Sequence, residues 1–213
     1  MKNKFVLLDR DGVINVEKSY LHKIEDFEYE KNVVEGLLKL RDLGYKFAII
    51  TNQAGIARGY YTEEDYLKLQ NFIEDDLMKK GIKIEKSYFC PHHPNVTGKY
   101  GIECNCRKPN TGNFELAIEE FDIDVKNSFM IGDKITDLIP IIPQKAGTVI
   151  KERSCSQAGF HDGRRRLQRA GRKLQKRRYW HETFCNAVLT DDLNASNMKN
   201  INYISSMKPK KRK

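Results

Sequence analysis

The sequence predicts an α/β fold built on a central parallel sheet. Short, nearly continuous apolar runs recur through the first 150 residues, with amphipathic helical patterns between them. Continuous apolar runs suit strands buried on both faces. Strands that alternate with helices give a parallel sheet.

In chain order, the first strand is FVLL at residues 5–8, which stops at Asp9-Arg10-Asp11-Gly12. Asn32 stands where an N-cap belongs, before a helix carrying Val33, Val34, Leu37, Leu38 and Leu40, with Gly44 at its end. KFAII at 46–50 is the second strand and runs into Thr51-Asn52-Gln53. Thr62-Glu63-Glu64-Asp65 fits a capping box. The helix after it is expected to turn Tyr66, Leu69, Phe72, Ile73 and Leu77 inward and to stop near Gly81. IEKSYF at 84–89 is a third strand. A helix over 111–121 places Phe114, Ala117, Ile118 and Phe121 on one face, and SFMI at 128–131 leads into Gly132-Asp133. The result is a Rossmann-like three-layer fold. Ligands in such folds sit beyond the carboxyl ends of the strands, and each polar cluster of interest in residues 1–150 follows a strand.

The 213 residues suffice for one domain with a core and a tail. No apolar run approaches a membrane span, and the run after Lys4 is too short for a secretory signal core. A cytoplasmic protein without a membrane partner is expected. Five cysteines, an odd number, argue against a disulfide framework. Charge divides the chain: residues 1–150 hold 21 Lys and Arg against 24 Asp and Glu, net −3, whereas 151–213 hold 17 against 5, net +12. Two units follow, 1–150 and an atypical basic segment 151–213.

Four clusters stand at strand ends or between them: Asp9-x-Asp11-Gly12, Thr51-Asn52-Gln53, Arg107-Lys108-Pro109 and Gly132-Asp133-Lys134-x-Thr136-Asp137. Each alone fits a polar turn. In this order they resemble the haloacid dehalogenase superfamily of phosphatases over roughly residues 4–138. The most specific stretches are DRDGVIN, TNQAGIARG, CPHHP and CNCRKP.

The resemblance implies Mg²⁺-dependent hydrolysis of a phosphate monoester, a reaction that is slow without charge neutralisation and in-line positioning. It makes Asp9 the nucleophile that forms an aspartyl-phosphate, and Asp11 the acid and then base at the leaving and attacking oxygens. Gly12 lets the backbone approach the phosphate. Thr51 and Asn52 would donate to phosphoryl oxygens, and Lys108 would supply a fixed positive charge. Asp133 would hold Mg²⁺ with Asp9 and the Asp11 carbonyl, and Lys134 also lies at the metal site. Asp137 would brace that loop.

Little sequence separates Gly12 from the second strand, so no large cap domain is expected and short loops must select the substrate. The resemblance implies a small phosphorylated sugar. Glu17, Lys18, Ser19 and Tyr20 would contact it, with Arg10, Gln53 and Ala54 nearby, and Arg107 would grip a second, uncleaved phosphate. Arg58 is a further candidate.

Cys90, His92, His93, Cys104 and Cys106 form Cys-x-His-x11-Cys-x-Cys, a closed tetrahedral zinc set. Spacing leaves His92 and His93 open; the resemblance selects His92. A zinc-binding loop over 90–106 would stiffen the delivery of Arg107 and Lys108.

The resemblance implies removal of the 7-phosphate of a heptose 1,7-bisphosphate, in supply of activated heptose for surface glycans. Histidinol phosphate is the alternative substrate. The protein is expected to act as a monomer.

The resemblance stops after Asp137. Pro140 and Pro143 should break the next helix, and 151–213 uses nine Arg where 1–150 uses four. Clustered Arg beside Tyr179 and Trp180 could bind nucleic acid, a reading of another class in which the phosphatase core is inactive or acts on polynucleotide ends. A natural extension, or a segment read in a shifted frame, would also explain the change. In the last case the sheet would lack its final strand.

Overall fold

The computed structural model describes residues 2–138 and 147–150. Its sheet has five parallel strands: β1 (Phe5–Leu8), β2 (Lys46–Asn52), β3 (Ile84–Cys90), β4 (Phe129–Gly132) and β5 (Gly147–Ile150). They lie in the order β3-β2-β1-β4-β5. The helices are α1 (Val33–Asp42), α2 (Ala54–Ala57), α3 (Glu63–Lys79), α4 (Gly112–Phe121) and α5 (Ile135–Leu138).

Side-chain alternation explains the three layers. Val6 and Leu8 of β1 join Phe47 and Ile49 of β2 on one face, under Leu37 and Leu40 of α1 and Leu69, Ile73 and Leu77 of α3. Phe5 and Leu7, with Ala48 and Ile50, point to the other face and pack on Phe114 and Ala117 of α4. Both faces are covered, so the strands read as continuous apolar runs. Each fully buried large side chain contributes roughly 1.5–3 kcal/mol. After β3 the chain crosses back to place β4 beside β1. That reversal opens a crevice at the carboxyl ends of β1 and β4.

Thr62 caps α3 as expected: its hydroxyl accepts from Asp65 N at 3.1 Å while the Asp65 carboxylate accepts from Thr62 N at 3.0 Å. Phe72 departs from expectation. It is 37% exposed, set to one side of the stripe formed by Tyr66, Leu69, Ile73 and Leu77, and its ring meets Phe27 at 5.7 Å. Asn32 does precede α1, but in the left-handed region (φ 61°) and with no side-chain cap bond.

A strand follows β4 in the described residues. β5 pairs with β4 from Phe129↔Gly147 to Gly132↔Ile150. The β-branched residues of GTVI suit it to a strand. Pro140, Pro143, the Arg-rich stretch and the Lys-rich end lie outside the described residues. Among the described residues no insertion is large enough for a separate cap domain, and no helix is long and apolar enough to cross a membrane.

Thr62→Ala is expected to lower stability by about 1 kcal/mol. Leu69→Ala, at a fully buried position, should cost roughly 2–5 kcal/mol. Urea denaturation monitored by circular dichroism separates the two.

Candidate active site

Asp9 is the first residue past β1, and its N–H donates to Ile131 O of the neighbouring β4 at 2.9 Å. Its carboxylate is buried and faces Lys108, which arrives from the loop after β3. Lys108 Nζ lies 3.0 Å from Asp9 Oδ1 and 2.8 Å from Asp137 Oδ1, and donates to Ile50 O at 2.7 Å. Three acceptors thus meet the three donors of one ammonium. Asn52, at the end of β2, accepts from Lys108 N and donates to Lys108 O, both at 3.0 Å.

Asp133, past β4, completes an acidic group: carboxylate oxygens of Asp9, Asp133 and Asp137 lie within 4.8 Å of one another. Asp137 Oδ2 also accepts from Lys134 N at 2.9 Å, so it braces this loop as expected and holds Lys108 as well. Gly12 has φ 82°, and a Cβ there would stand 2.7 Å from Asp133 Oδ2. The glycine therefore makes room for a carboxylate from another strand. Burial pushes the Asp9 carboxyl up to about 6, opposed by Lys108 and assisted by the negative charges of Asp137 and Asp11.

Asp11 is held differently. Arg10 Nη2 donates to both of its oxygens at 3.0 and 3.1 Å, Asn15 Nδ2 donates to Oδ1 at 3.1 Å, and Gln53 Nε2 donates to Oδ2 at 3.0 Å. Burial opposes its charge, but the Arg10 guanidinium and these bonds keep it below the ordinary carboxylate range.

The crevice has a volume of about 490 Å³. Among the expected residues it is lined by Asp9, Asp11, Glu17, Ser19, Tyr20, Thr51, Asn52, Gln53, Ala54, Arg107, Lys108 and Lys134. Three residues expected to contact substrate have partners within the protein. Arg10 is fully buried and serves Asp11 and the Leu21 carbonyl. Lys18 turns away to Asp26 O at 2.8 Å and Glu28 at 3.2 Å. The Asn52 amide is engaged by the Lys108 backbone. Arg58 is also diverted, its Nη2 facing His93 Nε2 at 3.1 Å. Thr136 and Asp137 of the fourth cluster line the crevice too, and Tyr61 lines it without having been anticipated. Tyr61 stands in none of the four clusters, and only the fold brings it there.

Cys90, His92, Cys104 and Cys106 converge, with ligand atoms all within 4.8 Å. Cys90 Sγ is 3.5 Å from Cys104 Sγ, Cys106 Sγ is 3.3 Å from Cys104 Sγ, and His92 Nδ1 is 3.4 Å from Cys106 Sγ. Tetrahedral thiolates about 2.3 Å from zinc stand roughly 3.8 Å apart, so the set fits a metal with little adjustment. It is His92 that joins it; His93 faces Arg58.

A parallel sheet carrying two aspartates beyond a central strand, with a buried lysine and further aspartates on adjoining loops, defines a phosphatase of the haloacid dehalogenase class. The family model described as polynucleotide kinase 3 phosphatase matches residues 4–160. The chain belongs to that family. A Photorhabdus laumondii protein named D-glycero-alpha-D-manno-heptose-1,7-bisphosphate 7-phosphatase is 51% identical over 138 residues, covering 64% of this chain and 75% of its own length. A second protein of that organism, named for the beta anomer, is 41% identical over 150 residues, covering 70% and 80%. A D,D-heptose 1,7-bisphosphate phosphatase of B. bronchiseptica, complexed with magnesium and phosphate, shares the fold with a TM-score of 0.60. It is 23% identical and covers 69% of this chain and 79% of its own.

Lys108→Met leaves buried carboxylates without their counter-charge. Stability at pH 7 is expected to fall by roughly 3–5 kcal/mol. The Asp9 carboxyl, already raised to about 6, then binds its proton more tightly in the folded state than in the unfolded chain. The penalty is therefore present above that pKa and shrinks as pH falls through it. Urea melts at pH 7.5 and 5 measure the difference.

Proposed function

We propose that the protein is a Mg²⁺-dependent phosphatase that removes the 7-phosphate of D-glycero-alpha-D-manno-heptose 1,7-bisphosphate. The observation that carries the reading is Asp9 at the crevice floor, held by Lys108 beside Asp133 and Asp137, with Arg107 on the wall of the same crevice. The anomer rests on a comparison within one organism, 51% identity to the alpha protein against 41% to the beta protein.

Asp9 attacks phosphorus as the sugar oxygen departs, forming an aspartyl-phosphate that water then cleaves. Asp11 protonates the departing oxygen and later accepts a proton from the water. In the free enzyme Asp11 is a carboxylate; an anionic phosphate placed beside it raises its proton affinity. Thr51 donates to a phosphoryl oxygen. Lys108 offsets phosphoryl charge and keeps Asp9 in line. Glu17, Ser19 and Tyr20 face the sugar, and Arg107 takes the retained phosphate. Asp9 and Asp133, with the backbone carbonyls of Asp11 and Lys134, would hold Mg²⁺, which would supply positive charge to offset that of the phosphate.

The Cys90, His92, Cys104 and Cys106 set holds zinc in a structural role, since four protein ligands leave no open position. Cys106 adjoins Arg107, and Arg107 Nη1 donates to His92 O at 3.1 Å, so the metal loop fixes both basic residues. We assign the catalytic unit to residues 1–150, where the charge balance is near neutral, and set the basic stretch 151–213 apart by its composition; the location is cytoplasmic.

The test is phosphate release with Mg²⁺ from both anomers of the heptose bisphosphate, from histidinol phosphate and from a 3′-phosphorylated oligonucleotide. The alpha bisphosphate is expected to give the highest kcat/KM, and Asp9→Asn none above background. A preference for the oligonucleotide or for histidinol phosphate would overturn the substrate assignment. Arg107→Ala should raise KM for the bisphosphate far more than for a sugar monophosphate.

Metal analysis is expected to find one zinc per chain. Its removal by chelation should raise KM before circular dichroism reports loss of the fold. Full activity without zinc would refute the structural role.

A further inference from the structure

The segment after the first carboxylate pair, residues 17–22, adopts a demanding backbone. Ser19 and Tyr20 both have positive φ, 49° and 66°. Consecutive non-glycine residues in this region persist only where their surroundings hold them. Three supports lie within the segment or beside it. Glu17 Oε1 accepts from Ser19 N at 3.0 Å. His22 Nδ1 stands 2.9 Å from Tyr20 O, and because a carbonyl can only accept, the imidazole donates from Nδ1. The third support is the turn before α3. There Tyr60 meets the Tyr20 ring edge-on at 4.6 Å, and Tyr61 stacks on His22 at 5.0 Å and 12°.

Tyr61 also reaches the reaction centre. Its hydroxyl donates to Gln53 Oε1 at 2.6 Å. Gln53 Oε1 also faces Arg10 Nη2 at 3.3 Å, while Gln53 Nε2 donates to Asp11 Oδ2 at 3.0 Å and Thr51 Oγ1 at 2.9 Å. The amide has one workable orientation. A flip would set its NH₂ against a guanidinium and its oxygen against a carboxylate. Burial keeps the Tyr61 phenol above its ordinary value, so it remains a donor. Gly55 admits the ring, since a methyl group at Gly55 would collide with it, and Thr62 locks the next residue into the α3 cap.

We propose that Tyr61 is a positioning residue that joins the substrate loop to the acid–base carboxylate: its ring carries His22, and its hydroxyl orients Asp11 through Gln53. The inference rests on the acid–base role given to Asp11 above. The two halves of the side chain act on different steps. The ring sets how the loop meets the sugar, and the hydroxyl sets how Asp11 meets the leaving oxygen.

Steady-state kinetics on the heptose bisphosphate test it, with melting midpoint and zinc content measured on each preparation. Tyr61→Phe keeps the ring and deletes the hydroxyl. It is expected to lower kcat roughly three- to tenfold, about the worth of one buried hydrogen bond, with KM within about twofold of the parent. Gln53→Leu should lower kcat further, and adding Tyr61→Phe to it should then change nothing more. His22→Ala should raise KM with a smaller effect on kcat, and Tyr61→Leu should move both. Unchanged kcat in Tyr61→Phe, an effect on KM alone, or a kcat loss that disappears at a temperature where the variant is fully folded would overturn the proposal. Asp11→Asn separates the two readings. If it is inactive while Tyr61→Phe is normal, only the Tyr61 proposal falls; if it is fully active, the role of Asp11 falls and the proposal with it.

Discussion

The site depends on one ammonium group. Lys108 binds Asp9, Asp137 and the Ile50 carbonyl while almost fully buried. It therefore joins the ends of β1 and β2 and the loop after β4. Buried carboxylates crowded this closely repel one another and lose solvation. Lys108 offsets both costs, so the arrangement of this carboxylate group rests on one side chain. Much of the remaining architecture holds that residue still: Asn52 clamps the Lys108 backbone, and the Cys/His loop anchors the residues just before it.

The two aspartates that flank Arg10 differ by environment. Asp9 sits among carboxylates with one lysine, and burial raises its proton affinity. Asp11 sits among donors, and its proton affinity falls. Arg10 lies between them in sequence but turns its guanidinium to Asp11 alone. Side chains alternate in direction at the end of an extended strand, so two residues apart was close enough to share a site. The backbone turn at Gly12 and the buried arginine then made the pair unequal.

The crevice is open because the connections around it are short. No cap covers it among the described residues, and its wall is made by the segment after β1, the metal loop and the turn before α3. Such a wall selects by fixed shape and charge, which suits a small bisphosphate with an anionic group at each end.

The sequence by itself determined the strands, the capping box at Thr62, the carboxylate pair, the lysine and the Cys/His set, because these depend on local periodicity and on spacing within one loop. It reached β5 only as a doubt, since the departure from the familiar pattern after Asp137 says nothing about pairing; hydrogen bonding to β4 decided that. It misread Phe72, and it did not show the internal partners of Arg10, Lys18 and Asn52. A helical stripe has a width that spacing alone does not set, and a polar residue near a site can serve its neighbours as readily as a ligand. It left His92 and His93 equivalent by spacing, and the direction of each imidazole separated them. It gave no sign of Tyr61, whose importance comes from contacts with residues 8 and 39 positions away. Those long-range contacts form only when the sheet folds, and the partners of a buried polar group are fixed by packing in three dimensions.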